Sequence, residues 1–137
     1  MMNPYLSFKG DCKRAFEFYQ EVLGAKLLFQ HTWGESPMAD QAPGMGDAIM
    51  HATIQFPDGS LLMGADMPEE HRKPLQGFSL SVGANDVAAG RRMFDALSKD
   101  GVVTMPFEKT YWAEGFGMCI DPFGVPWMVN CEMTPPK

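Results

Sequence analysis

ATIQFPDGSLLMG (residues 52–64) and GMCIDPFGVPWMV (residues 117–129) decide the fold, because they are two copies of one pattern. Setting Gly59 on Gly124 places Pro57 on Pro122 and Met63 on Met128. Each copy reads as a strand, a tight Pro/Gly turn and a second strand. A helical segment lies upstream of each, near residues 11–23 and 85–100. Before each helix comes a short strand, ending Leu6-Ser7-Phe8 in one copy and Leu80-Ser81-Val82 in the other. A βαβββ unit repeated in tandem predicts an α+β fold, a cupped mixed sheet with its helices on the outer face.

Length and charge bound the rest. The 137 residues fit a single domain over 1–137, with module one at about 3–67, a polar linker at 68–76 and module two at about 77–132. A net charge of −6 argues against a nucleic-acid partner and against an anionic membrane surface. No apolar run approaches the roughly 20 residues of a spanning helix, and no basic-then-apolar leader opens the sequence. The expectation is a cytoplasmic protein. Cys12, Cys119 and Cys131 are odd in number and lack metal-finger spacing, so neither disulfides nor a zinc site is expected. Cys12 stands near a helix start, where a thiol pKa can fall.

Local signals place the elements. The first helix has Ala15, Phe16, Phe18, Tyr19, Val22 and Leu23 on a broad apolar face, with Asp11 as N-cap and Gly24 as its left-handed stop. A strand from Lys26 to about Thr32 leads into a Gly-, Pro- and Met-rich loop at 34–47, long enough to suggest a lid or binding loop. The second helix is capped by Asn85 or Asp86, turns Val87, Phe94 and Leu97 inward and stops at Gly101. Pro135-Pro136 closes a tail expected to fray.

Alternation along strands then divides the side chains between two faces. Leu6, Phe8, Phe78, Leu80, Val82, Trp127 and Val129 are assigned to the helix side. Asn3, Tyr5 and Ser7 fall on the cup side, as do Gly77, Ser79 and Ser81. His51, Thr53 and Gln55 share one face of their strand, and the repeat sets them on Phe116, Met118 and Ile120. Met63, Met128 and Asn130 complete the lining. Such a surface, methionine and aromatic with isolated polar groups, is suited to a small ligand.

The tandem module, Phe18-Tyr19 before Leu23-Gly24, and Asp121-Pro122-Phe123-Gly124 before Trp127-Met128-Val129-Asn130 resemble the vicinal oxygen chelate superfamily. This is the group of glyoxalase I, bleomycin-resistance proteins and extradiol dioxygenases. The opening PYLSF, His51-Ala52, Phe116-Gly117-Met118 and the closing WMVN resemble its PhnB-like branch, and the likeness runs from about Asn3 to Glu132. It implies a homodimer with a ligand or metal in each cup. Metal-dependent members supply His from a module's first strand and Glu or His from its last. Here those positions hold Asn3 or Pro4, Gly77, Met63 and Met128, none a ligand for a hard divalent cation. No metal and no other cofactor are therefore expected.

Tyr5, His51, Thr53, Met63, Trp112, Phe116, Met118, Met128 and Asn130 are the candidate ligand-binding residues, with His51 the candidate acid or base. The plainer alternatives are a cavity-wall histidine bonded to Gln55, Tyr5 or backbone, and methionines that simply fill a core. Trp112 and Tyr111 would cap a ligand by stacking, and Trp33 is similar beside the long loop. Glu114 and Asp66 read as surface groups within reach of His51, and Asp58 and Asp121 as turn residues. The favoured reading is a metal-free binder of a small, partly apolar molecule. The alternatives are a lyase, isomerase or oxygenase using His51 or an atypical metal site, and an antibiotic-sequestering resistance protein. No Gly-rich loop serves a nucleotide-type cofactor.

Overall fold

The computed structural model describes residues 2–132, so the expected fraying at Pro135-Pro136 lies outside the described residues. The chain divides between Lys73 and Pro74 into two compact units. Unit one runs β1 (Tyr5–Phe8), α1 (Cys12–Leu23), β2 (Lys26–Thr32), β3 (Ile49–Gln55) and β4 (Leu61–Asp66). Unit two runs β5 (Leu80–Gly83), α2 (Val87–Ser98), β6 (Val102–Glu108), β7 (Ala113–Ile120) and β8 (Pro126–Glu132). The strands form two four-stranded sheets, β1-β4-β3-β2 and β5-β8-β7-β6. The outer pairs β1–β4 and β5–β8 are parallel, and the rest antiparallel. The βαβββ repeat is thus a repeat of topology.

In unit one, α1 packs on β3 and β4. Leu6, Phe8, Phe16, Tyr19, Ile54 and Leu62 are buried there, and Phe8 meets Phe16 edge-on at 5.9 Å. Burying each such side chain contributes about 1.5–3 kcal/mol. Gly64 permits the approach, since a Cβ there would stand 2.9 Å from the Phe16 ring. Gly24 ends α1 in the left-handed conformation, as expected. Asp11 sits at the N-cap position, yet its side chain accepts no capping hydrogen bond.

That role belongs to Asp66, which is 1 % exposed and not a surface group. Its Oδ1 accepts from the amides of Gly10 and Cys12, both at 2.9 Å, and its Oδ2 from that of Ile49 at 2.8 Å. The Asp66 carbonyl accepts from Trp33 Nε1 at 2.8 Å. Trp33 is therefore a buried anchor rather than a ligand cap. One residue ties together the start of α1, the start of β3 and the stem of the 34–47 loop. That stem is also closed by Trp33 N to Ala48 O and Gly34 N to Gly46 O, at 2.9 and 3.1 Å. The Cys12 thiol pKa is raised rather than lowered, through burial and then the negative charges of Asp66 and Asp11.

In unit two, Asp86 caps α2 by accepting from the Ala89 amide at 2.8 Å. Phe94 and Leu97 are buried against the sheet, but Val87, in the first turn, is 45 % exposed. Phe78 precedes β5 and is 40 % exposed, so the helix-side apolar set there begins at Leu80. The left-handed residue after α2 is Asp100, at φ 63°, and not Gly101. Gly101 answers a different need, because a Cβ there would collide with the Ile120 carbonyl oxygen. Asp121 is more than a turn residue. Its Oδ1 accepts from the Phe123 and Val125 amides, and its Oδ2 from Trp127 Nε1 at 2.9 Å. No helix among the described residues is long and apolar enough to cross a membrane.

Candidate functional site

In unit one the helix-side strand residues are Leu6, Ala52, Ile54 and Leu62, all buried. Their neighbours in sequence emerge on the opposite face. There Tyr5 pairs with Met63, Met63 with Thr53 and Thr53 with Phe29, a row crossing all four strands. Tyr5 Oη lies 3.1 Å from His51 Nδ1, and His51 Nε2 lies 3.1 Å from Thr53 Oγ1. A neutral imidazole donates from one nitrogen and accepts at the other, so this chain has two arrangements. Either Tyr5 donates inward and Thr53 keeps a free O–H, or the reverse. Burial raises the Tyr5 pKa, with the Cys12 charge adding to it, so its hydroxyl stays protonated. His51's contacts fall partly within the plainer reading, Tyr5 being one expected partner; Thr53 takes the place of Gln55. Asp66 is occupied elsewhere, as described, and Glu114 is half-buried on β7.

Two residues on β2 join this face that strand alternation did not reveal. His31 is paired in register with His51, and the Phe29 ring lies 4.9 Å from His31 and 5.7 Å from His51. His31 Nε2 is buried and has no hydrogen-bond partner. A buried polar atom left unpaired is uncommon and costs about 1–3 kcal/mol.

Unit two has the same layout with different chemistry. Met105 pairs with Met118, and Met118 with Met128, giving three thioethers in one row ending at Ser81. The next row runs Gly83, Asn130, Phe116, Glu108. Met118, Met128 and Asn130 are half-buried, and Phe116 is buried. Trp112, 46 % exposed just before β7, stands edge-on to Phe116 at 5.4 Å, and Tyr111 packs on Trp112 at 4.8 Å. Asn130 Oδ1 is buried without a partner. The nine expected residues are thus gathered on two surfaces: Tyr5, His51, Thr53 and Met63 on one sheet, and Trp112, Phe116, Met118, Met128 and Asn130 on the other.

The donor set does not suit a hard divalent ion. Asn3, Gly77, Met63 and Met128 offer an amide, no side chain and two thioethers, and His51 has both nitrogens engaged. Among the described residues, no three His, Cys, Asp or Glu side chains are grouped to hold a metal.

The sequence matches the family described as the Glyoxalase/Bleomycin resistance protein/Dioxygenase superfamily over residues 2–129. It is 38 % identical over 144 residues to Protein YjdN of Escherichia coli (strain K12), covering 98 % of this chain and 97 % of that one. Protein PA1353 from Pseudomonas aeruginosa is 38 % identical, with a TM-score of 0.89 over 98 % of each chain. A Bacillus cereus protein, provisionally named a 3-demethylubiquinone-9 3-methyltransferase and PhnB protein, has the same fold. Its TM-score is 0.81 at 23 % identity, over 95 % of this chain and 98 % of that one.

Proposed function

As the chain belongs to the glyoxalase/bleomycin resistance protein/dioxygenase superfamily, we propose that it is a PhnB-like, metal-free member. In this reading it binds a small, partly apolar molecule on the sheet faces opposite the helices. The observation that carries this is the Tyr5–His51–Thr53 chain beside the unpaired His31 Nε2. A fixed set of hydrogen-bonding groups lies on an apolar ground of Phe29 and Met63, with one buried nitrogen lacking a partner. A ligand bearing one polar group and an apolar body meets both requirements. The metal chemistry of other members is not assigned here, because the thioether and amide positions do not fit it.

The same chain of groups supports a second reading, an isomerase- or lyase-type enzyme. A proton taken up at one hydroxyl end and released at the other leaves His51 neutral, with its tautomer exchanged. The methyltransferase name belongs to the Bacillus cereus protein. In this chain the strand-to-helix connections are Lys9-Gly10-Asp11 and Ala84-Asn85-Asp86, with a single glycine between them and no Gly-rich turn for such a cofactor. The proposal includes a homodimer, supported by the exposed apolar edge residues Leu27, Leu28, Val102 and Val103; sedimentation equilibrium tests that part.

Elemental analysis of protein purified without added metal or chelator tests the central claim. The expected result is no stoichiometric divalent ion, and no thermal shift with Mg, Mn, Fe, Co, Ni or Zn. A stoichiometric ion that disappears in His51→Ala sinks the metal-free reading. A screen of small aromatic alcohols by NMR then tests binding, with signals of Met63 and His51 expected to move and Tyr5→Phe expected to weaken the effect.

A further inference from the structure

We propose that the face of the second sheet opposite α2 binds an organic cation, an aryl-alkyl ammonium, with its N–H groups directed at Asn130 and Glu108. The assignment rests on the preceding reading of the sheet faces as ligand surfaces and gives one of them a chemical class.

Phe116 occupies the position that His51 holds in the first copy, Met118 that of Thr53, and Asn130 that of Ala65. The hydrogen-bonding relay of the first sheet is therefore replaced by a ring and a thioether, and an amide is added where the first copy has a methyl group. Around Asn130 the side chains that β6, β7 and β8 place on these two rows are electron-rich. Met105, Met118 and Met128 present sulfur, Phe116 and its edge-on neighbour Trp112 present π-systems, and Glu108 carries a carboxylate. No Lys or Arg stands on either row. The nearby guanidinium is committed to the helix side. Arg91 lies over the Phe107 ring at 5.0 Å, donates to the Phe107 carbonyl and sits 3.6 Å from Asp95.

A ligand for this surface must supply what the surface lacks. Asn130 Oδ1 is a buried acceptor with no donor, so it calls for an N–H or O–H. Aromatic faces and a carboxylate attract positive charge and repel negative charge. Polarisable thioethers accommodate an apolar ring of irregular fit. An anion would meet Glu108, and neither row holds a Lys or Arg to compensate it. A hard metal ion would find one carboxylate and one amide, too few oxygen ligands.

The test uses three probes with a phenyl ring and different heads: phenethylammonium, 2-phenylethanol and 3-phenylpropionate. Protein labelled at the methionine methyl groups reports where each one goes, after assignment by single Met→Leu replacements. The ammonium is expected to move the methyl signals of Met105, Met118 and Met128 and to bind roughly tenfold tighter than the alcohol. Glu108→Gln, at an exposed position that tolerates the change, is expected to weaken the ammonium several-fold and leave the alcohol unchanged. Asn130→Ala is expected to weaken the ammonium as well. If the alcohol or the propionate matches the ammonium on these three signals, the cation assignment is overturned. If the alcohol moves Met63 while the ammonium leaves Met105, Met118 and Met128 unmoved, ligand binding stands and the cation assignment falls. If no probe moves any of the four signals, both fall.

Discussion

Asp66→Asn probes most directly what holds the first unit together. The carboxylate accepts three backbone amides, from Gly10, Cys12 and Ile49, at 2.8–2.9 Å. Asparagine keeps the shape but has one acceptor oxygen. If that oxygen stays with Gly10 and Cys12, the new NH2 faces the Ile49 N–H, donor against donor. One bond to a charged group is lost, about 1.5–3 kcal/mol, and one buried N–H is left unpaired, about 1–3 kcal/mol. The two surviving bonds also lose their ionic character. The sum is about 2.5–6 kcal/mol of destabilisation, against a total stability of about 5–15 kcal/mol for an ordinary domain. Thermal melting followed by circular dichroism should show Tm lowered by roughly 10–20 °C. Hydrogen exchange should show the Gly10, Cys12 and Ile49 amides losing protection. Asp58→Asn is the control. Asp58 is an exposed turn residue whose carboxylate accepts from the Ser60 amide and hydroxyl, and the change should cost less than about 1 kcal/mol. A Tm for Asp66→Asn within about 2 °C of the parent would refute the reasoning.

Further outcomes follow from the same structure. Cys12, Cys119 and Cys131 are buried, and burial with the Asp121 charge pushes the Cys119 thiol up to about 11, so native protein at pH 8 should not react with a disulfide reagent. Unfolding in urea should release three reactive thiols. The Cys119 pKa is higher in the folded protein than the ordinary value of 9.0, so the stability linked to it is intact below pH 9 and lost as pH rises through about 11. Urea melts at stepped alkaline pH measure this. Gly101→Ala drives a Cβ into the Ile120 carbonyl and should cost about 3 kcal/mol, the upper part of the overpacking range. Its midpoint in urea should fall at unchanged slope. Tyr5→Phe removes one end of the His51 chain at a partly exposed position, and should change stability by less than about 1 kcal/mol while weakening 2-phenylethanol binding.

The modules were legible because Pro57-Asp58-Gly59 and Pro122-Phe123-Gly124 are strong turn signals flanked by regular alternation. Alternation also put Tyr5, His51, Thr53, Met63, Met118 and Met128 on the face where the register groups them, since β1, β3, β4, β8 and β7 from Gly115 onward follow a period of two. It does not extend to the outer strands, for a physical reason. The pairing of β2 slips between Leu27 and Phe29 and again between His31 and Thr32, and that of β6 slips at Val103/Met105 and Met105/Glu108. Each slip breaks the period, so Phe29, His31, Met105 and Glu108 could not be placed from spacing. Asp66 was misread because its partners lie 17 to 56 residues away. A carboxylate at the end of an apolar strand looks solvated until the segments it joins are seen together. For Val87 and Phe78, apolar character alone suggested burial, but both stand at element ends where the sheet no longer covers them.

The parallel pairing of β1 with β4 carries a consequence for synthesis. Tyr5 and its register partner Met63 are 58 residues apart, and Leu80 and Trp127 are 47 apart. At ribosomal rates of about 5–20 residues per second, β1 waits on the order of 3–12 s before β4 is made. Through that interval its backbone has no ladder to join, and the hairpin β3–β4 can only form at the end of it. Each unit can therefore be completed only once its last-made strand is available to its first. Nascent chains halted before Met63 should be the ones that chaperones hold and proteases cut.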